Sequence, residues 1–249
     1  MNCTCIPFHH CGCNLVLQII WKKLFTTYAK YAGSLGHLFT LIGRLPQARK
    51  PKDDLHACLD ALRTVFKGHI ITVACSELGL KSPDVDMPAL EDGQLYVREL
   101  VKKIVMKNSV VTKAIVGEPF EETKDGIHNY AKVLCHYAAL VTEFTDAWSE
   151  GDGLRVLRCW KIFMLHFHAD RRTKYALEAL LLQFQLASLP PDLVHQLTWG
   201  RFVNSHGGLG HNIPCDLHNE HVNRLFKEMV NNMGANFTPE SSTRAARAV

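Results

Sequence analysis

Seven apolar residues, Ile127, Tyr130, Leu134, Tyr137, Val141, Phe144 and Trp148, follow one another at spacings of three and four along the chain. Only an α-helix brings residues so spaced to one side, and a helix carrying an unbroken apolar stripe has to bury it against other elements. The same periodicity recurs elsewhere. It predicts a helix over 15–32 with Leu17, Ile20, Leu24 and Tyr28 or Tyr31 inward, then a short one over 35–45. A longer helix carries Leu55, Leu59, Leu62, Phe66, Ile70, Val73 and Leu78, with Asp53 or Asp54 as its cap and Gly79 at its end. Residues 94–106 form a further amphipathic helix. Leu154 to His168 is apolar on most faces, as a central helix would be, and Tyr175 to Leu186 is equally apolar. The short polar break Asp170 to Thr173 between them predicts an antiparallel helical hairpin, ended by Pro190 and Pro191. Ser109 to Val116 suits a strand or a buried helical turn equally, and no internal repeat is visible. The fold class is mainly α, a multi-helix, bundle-like domain.

A chain of 249 residues with 47% hydrophobic and 21% charged residues buries a core without disulfides. The expected organisation is a Cys/His-rich, unstructured leader over residues 1–14 and a single helical domain over 15–249. If there are two subdomains, the boundary falls in the Pro- and Asp-rich stretch 81–93. No apolar run reaches the roughly 18–20 residues that a membrane span requires, so no membrane association is expected. The start of the chain lacks a secretory signal, which predicts an intracellular protein, nuclear or cytoplasmic, whose nine cysteines are thiols. Cys58, Cys75, Cys135 and Cys159 sit in helical patterns as small buried hydrophobes do. A formal charge of +4 permits DNA as a partner without arguing for it.

Chemistry-bearing residues concentrate at the two ends of the chain. In the leader, Cys3, Cys5, Cys11 and Cys13 with His9 and His10 form a C-x-C-x5-C-x-C pattern that is not a usual structural zinc spacing. Arg49, Lys50 and Lys52 fall in a loop read as solvated. Near the other end, Trp199 to Phe237 runs a glycine-rich loop into a polar helix. Asp216, Glu220, Asn223 and Lys227 share one face of that helix, with Leu217, Phe226 and Val230 supplying an apolar one. Metal-dependent phosphoryl transfer uses converging carboxylates to hold Mg²⁺ or Mn²⁺, which makes Asp216 and Glu220 the candidate catalytic and metal-binding residues. One helix does not complete such a site. The plainer reading has Asp216 capping the helix, Glu220 paired with Arg224 or Lys227, and the asparagines bonded to backbone.

His206, His211, Cys215, His218 and His221 crowd the same region without a common zinc spacing, and Gly207, Gly208 and Gly210 lack the Gly-Lys-Ser/Thr of a phosphate loop. A tight turn that permits close packing explains those glycines as well. No local signature of a serine or cysteine nucleophile is present, and His69, His136 and His166 read as ordinary helix residues. Arg155, Arg158 and Lys161 make a basic stripe at helical spacing, the candidate nucleic-acid contact against a reading as solvated surface.

One resemblance gathers these segments. Ile20-Trp21-Lys22, Gly68-His69-Ile70, the stretch from Glu150 to Lys161 (EGDGLRVLRCWK), Lys174 to Leu180 (KYALEAL) and, most specifically, the order W-x-R-F-V-N, G-G-L-G, N-I-P-C-D-L and E-H-V-N between Trp199 and Asn223 resemble the family known as domain of unknown function 6589. The likeness runs from about Leu15 to the end. It implies descent from DNA-transposon proteins and an RNase H-like catalytic core of which this chain would keep the helical, C-terminal portion. Glu220 would then stand for the late acidic ligand, with Asp216 close by. Fuller members extend upstream of Ile20-Trp21-Lys22, where early acidic ligands are expected, whereas the Cys-rich leader stands there in this chain. The resemblance therefore implies an incomplete acid set and a truncated or domesticated copy, non-catalytic, that scaffolds or binds. The alternatives are a metal-dependent transposase or nuclease using Glu220 and Asp216, and a non-catalytic DNA-binding module.

Overall fold

The structure, a computed structural model, describes residues 9–24, 33–43, 51, 54–84, 93–108, 126–233 and 238–247. Tyr28, Tyr31, Arg49, Lys50, Lys52, most of 81–93 and the ambiguous segment 109–116 lie outside the described residues. The architecture is mainly α, in the order α1 (His9–Leu24), α2 (Leu35–Leu41), α3 (Leu55–Leu78), α4 (Gly93–Asn108), α5 (Gly126–Glu150), α6 (Gly153–Ala169), α7 (Thr173–Ser188), α8 (Pro191–Trp199), β1 (Phe202–Val203), β2 (Ile213–Pro214), α9 (Cys215–Met233) and α10 (Pro239–Arg247). Helix α1 starts at His9, so it draws its first turn and a half from the segment expected to be an unstructured leader. The chain divides into two compact units, residues 14–143 and residues 144–249 with 1–13. The division falls inside α5.

In the unit of residues 14–143, local chemistry sets the helix ends. The Asp54 carboxylate accepts the Ala57 N–H at 2.9 Å and starts α3, while Gly79, left-handed at φ 66°, stops it. Both roles follow from residue type, since an Asp side chain satisfies an otherwise orphaned amide and glycine enters the left-handed region without a Cβ penalty. Ser34 caps α2 through the His37 N–H at 3.2 Å. The core of this unit takes Val16, Leu17, Ile19 and Ile20 from α1, Leu35 and Phe39 from α2, and Leu62 from α3. Trp21 meets Phe39 with ring centroids 5.7 Å apart, and the Tyr130 hydroxyl of α5 accepts the Leu35 N–H at 2.8 Å. The expected seam of α3 is buried only in its first half, for Ile70 is 37% exposed.

In the second unit, α5 and α6 are joined by Gly151 and Asp152. Gly151, at φ 76°, donates its N–H to the Trp148 carbonyl, Asp152 donates its N–H to that of Ala147, and the Asp152 carboxylate accepts the Arg155 N–H at 3.1 Å. One glycine thus closes a helix and the next residue opens another. Phe144 of α5 sits against Trp160 and Phe163 of α6, the closest ring centroids being 4.9 Å apart, and Phe167 meets Tyr175 of α7 at 6.0 Å. Such edge and tilted pairs contribute about 0.5–1.5 kcal/mol each beyond the area they bury. Helices α6 and α7 fold back on each other through residues 170–172, as the polar break predicts. Helix α6 is not central, however: Leu154, Ile162 and Leu165 are 37% to 62% exposed. Pro191 ends the hairpin by occupying the first turn of α8, the position at which a missing N–H costs nothing.

Burial gives residues 14–143 a pH response. Desolvation lowers the pKa of His69, whose Nε2 is buried without a hydrogen-bond partner, and that of His136. The folded chain then accepts these protons at lower pH than the unfolded chain does, so this stability is complete above the ordinary histidine pKa and is lost as pH falls through the folded values. Urea midpoints measured from pH 8 down to pH 5 should fall across that window, and His69→Gln should make the decline shallower.

Candidate functional site

The motifs between Glu150 and Cys215 are distant in sequence and meet at one place. Asn212, in the loop before β2, donates both its backbone N–H (3.1 Å) and its Nδ2 (2.9 Å) to the carbonyl of Ser149, in the last turn of α5. Its side chain lies over Gly151, where an added Cβ would stand 3.0 Å away. The first residue of α6, Gly153, backs onto α8 so closely that a Cβ there would fall 2.1 Å from the Thr198 carbonyl oxygen. Phe202 of β1 packs on Trp148 in a tilted contact with centroids 4.7 Å apart. The strands pair antiparallel, Phe202 with Pro214 and Val203 with Ile213, and the Cys215 N–H donates to the Arg201 carbonyl at 2.8 Å. The G-D-G, W-G-R-F-V-N and N-I-P-C segments therefore build a clasp that holds a small hairpin on the α5–α6 turn.

The loop inside that hairpin does not pack. Gly207, Gly208 and Gly210 have φ of 71°, 79° and 77°, and added Cβ atoms would meet nothing at Gly207 or Gly210 within 4 Å and only His211, at 3.6 Å, at Gly208. They serve the turn and not a close approach. Asn204 Nδ2 donates to the Gly208 carbonyl at 2.8 Å and ties the loop across, while Leu209 stands 96% exposed at the tip.

Helix α9 leaves the clasp carrying the candidate acids. Asp216 is half-buried in its first turn, and Glu220 is exposed one turn on. Glu220 makes no ion pair with Arg224 or Lys227; Arg224 instead lies 3.2 Å from His221 Nδ1 and 3.8 Å from Glu228. Asn219 Nδ2 donates to Cys215 Sγ at 3.8 Å, while Asn223, Phe226, Lys227 and Val230 line a shallow depression. The face expected to be apolar stays in solvent, with Phe226 64% and Val230 62% exposed. Among the described residues no three His, Cys, Asp or Glu side chains come together as a metal ion would need. Two carboxylates on successive turns of one helix do not fit Mg²⁺ or Mn²⁺ by themselves, so no chemical step is derived through a metal. Elsewhere, burial pushes the Cys135 thiol up to about 11, which keeps it protonated and unreactive.

The basic stripe separates into bound and open members. Arg155 is ion-paired with Glu150 on a side chain only 25% exposed. Arg158 and Lys161 are exposed on α6. Beyond the turn, Arg172 pairs with Asp170 at 2.9 Å, leaving Arg171 and Lys174 exposed. Of the residues that do the structural work, Gly153 and Asn212 fall within the motifs read from the sequence without their contacts being legible there, and Thr198 falls outside those motifs.

The clasp predicts unequal costs for small changes. Gly153→Ala should destabilise the fold by at least about 2 kcal/mol, since backbone must move. Gly207→Ala, strained in φ but unobstructed, should cost only about 1 kcal/mol, and Asn212→Ala about 1–2 kcal/mol, all read from urea denaturation followed by circular dichroism.

No curated protein and no solved structure matches this chain. A family model described as a family of unknown function (DUF6589) matches residues 5–249. That match begins ten residues before Leu15 and takes in most of the Cys-rich segment, which is therefore not foreign to the family. With nearly the whole chain covered, the protein belongs to the DUF6589 family.

Proposed function

We propose that the chain is a non-catalytic, transposon-derived domain that works by binding. The observation that carries this reading is how the motif residues are used. Gly151, Gly153, Phe202 and Asn212, with Thr198 just outside the motifs, are spent on holding the hairpin to the α5–α6 turn, and the acid-bearing helix points Glu220 into solvent. A hydrolytic or strand-transfer site needs its acids gathered and shielded from water. The order of motifs from Trp199 to Asn223 supports descent from a DNA-transposon protein whose RNase H-like core has lost its chemistry in this copy. Calorimetric titration of the chain with Mn²⁺, beside Glu220→Gln, tests this. Weak binding that is identical in the two proteins is the expected outcome; micromolar binding abolished by Glu220→Gln would establish an acid cluster and restore the nuclease or transposase reading.

A DNA-binding version is favoured by one further observation. Residues 153–188 carry Arg155, Arg158, Lys161, Arg171, Arg172 and Lys174 against only Asp170 and Glu178, a surplus of four that equals the net charge of the whole chain, +4. Arg158, Lys161, Arg171 and Lys174 are exposed there. If duplex DNA is the partner, fluorescence anisotropy with a labelled oligonucleotide should show affinity falling steeply with salt. Arg158→Ala/Lys161→Ala should then lower the log–log slope by about 2, near 0.9 for each lost phosphate contact; a salt-independent signal would exclude phosphate contacts.

A further inference from the structure

On α7, Leu177, Leu180, Leu181 and Phe184 are 56%, 52%, 50% and 68% exposed. Their spacing of i, i+3, i+4 and i+7 places them in one row along the helix, opposite the buried Ala176, Ala179 and Leu182. No charged residue stands within the row; its rim is Thr173, Lys174, Gln185 and Ser188, all exposed, with Glu178 half-buried beside Leu181. The row offers on the order of 400 Å² of apolar surface, more than scattered surface leucines supply and within the range of patches that mark an interaction site.

We infer that this face is the dimer interface of the protein, with α7 of a second copy packed antiparallel against it. The spacing of the row, though not its residue types, is the same from both ends. A two-fold axis between Leu180 and Leu181 sets Leu177 of one copy against Phe184 of the other and Leu180 against Leu181, the self-complementarity that an isologous contact requires. Charge agrees with that direction. The cations lie at one end only, Arg171 and Lys174, so an antiparallel partner brings Lys174 to the last turn of the opposing α7. The unsatisfied carbonyls there give the helix end a partial negative charge. A parallel partner would instead set Lys174 against Lys174. A specific dimer takes about 600–800 Å² from each copy, so the row would supply the apolar centre of the contact and the polar residues around it the remainder. Nucleic acid would leave four apolar side chains wet under its phosphates. The dimer holds whether or not the acids of α9 carry chemistry.

Light scattering of the full chain at tens of micromolar should give twice the monomer mass of 28.1 kDa. Phe184→Glu should weaken self-association by at least about 10-fold, with helical content unchanged by circular dichroism. Lys174→Glu, at an exposed position, should weaken it several-fold, so the test survives if Phe184→Glu fails to fold. A monomeric wild-type chain would overturn the inference: if that monomer sediments with phosphatidylserine vesicles, the row is a lipid-binding face, and if it does not, the row belongs to a different protein. A dimer that Phe184→Glu and Lys174→Glu leave intact would overturn it equally, by placing the interface elsewhere.

Discussion

The second half of the molecule depends on one close approach, the backbone of Gly153 against the carbonyl of Thr198. No side chain fits between them. Helix α8 can therefore lie across the start of α6 only because the chain carries glycine there, and everything that follows α8 inherits its position. Thr198 is itself buried and donates its hydroxyl to the Val194 carbonyl at 2.7 Å, so its side-chain polar group is satisfied there. From this point β1 sets out to meet Trp148, and Asn212 returns to the last turn of α5. A carbonyl at a helix C-terminus has no partner within its own helix, and Asn212 supplies two donors to one such oxygen.

The hairpin of α6 and α7 divides its apolar residues between two tasks. One set, Trp160, Phe163 and Phe167 with Ala176, Ala179 and Leu182, closes the core. Small residues on α7 facing large aromatics on α6 let the helices interdigitate at native density. The second set faces outward, where burial within the monomer cannot account for it. A helix apolar on most faces is thus not evidence of a central position; it is equally what a helix shows when one face is core and another is reserved for a partner.

Most helix positions were legible in the sequence because they rest on local physics. Asp54, Gly79, Gly151 and Asp152 mark ends through capping and left-handed turns, which residue type alone predicts. Burial was less legible. Periodicity identifies an apolar face without saying what covers it, so Ile70, Leu165 and Val230 fall on faces read as apolar and stand exposed. Helix α8 went unseen because Pro190-Pro191 signals an ending, and the same proline at a first helical position is a beginning. The two-residue strands are too short to show alternation. At the candidate site, Asp216 and Glu220 were identifiable as a pair on one helix, yet whether acids gather in three dimensions depends on other helices and is not written in their spacing.

The glycine loop between the strands has a mechanical consequence. Residues 204–211 are exposed throughout, make no close approach at Gly207 or Gly210, and carry Leu209 outward at the tip, features that invite a protease. A cut at Leu209 would sever the chain without releasing either piece, because Asn212 stays on Ser149, β2 stays paired with β1 and the Cys215 N–H stays on the Arg201 carbonyl across the break. The nicked molecule would travel as two non-covalently joined fragments, and the loop is the natural place to insert a tag or a split reporter without disturbing the helices on which it stands.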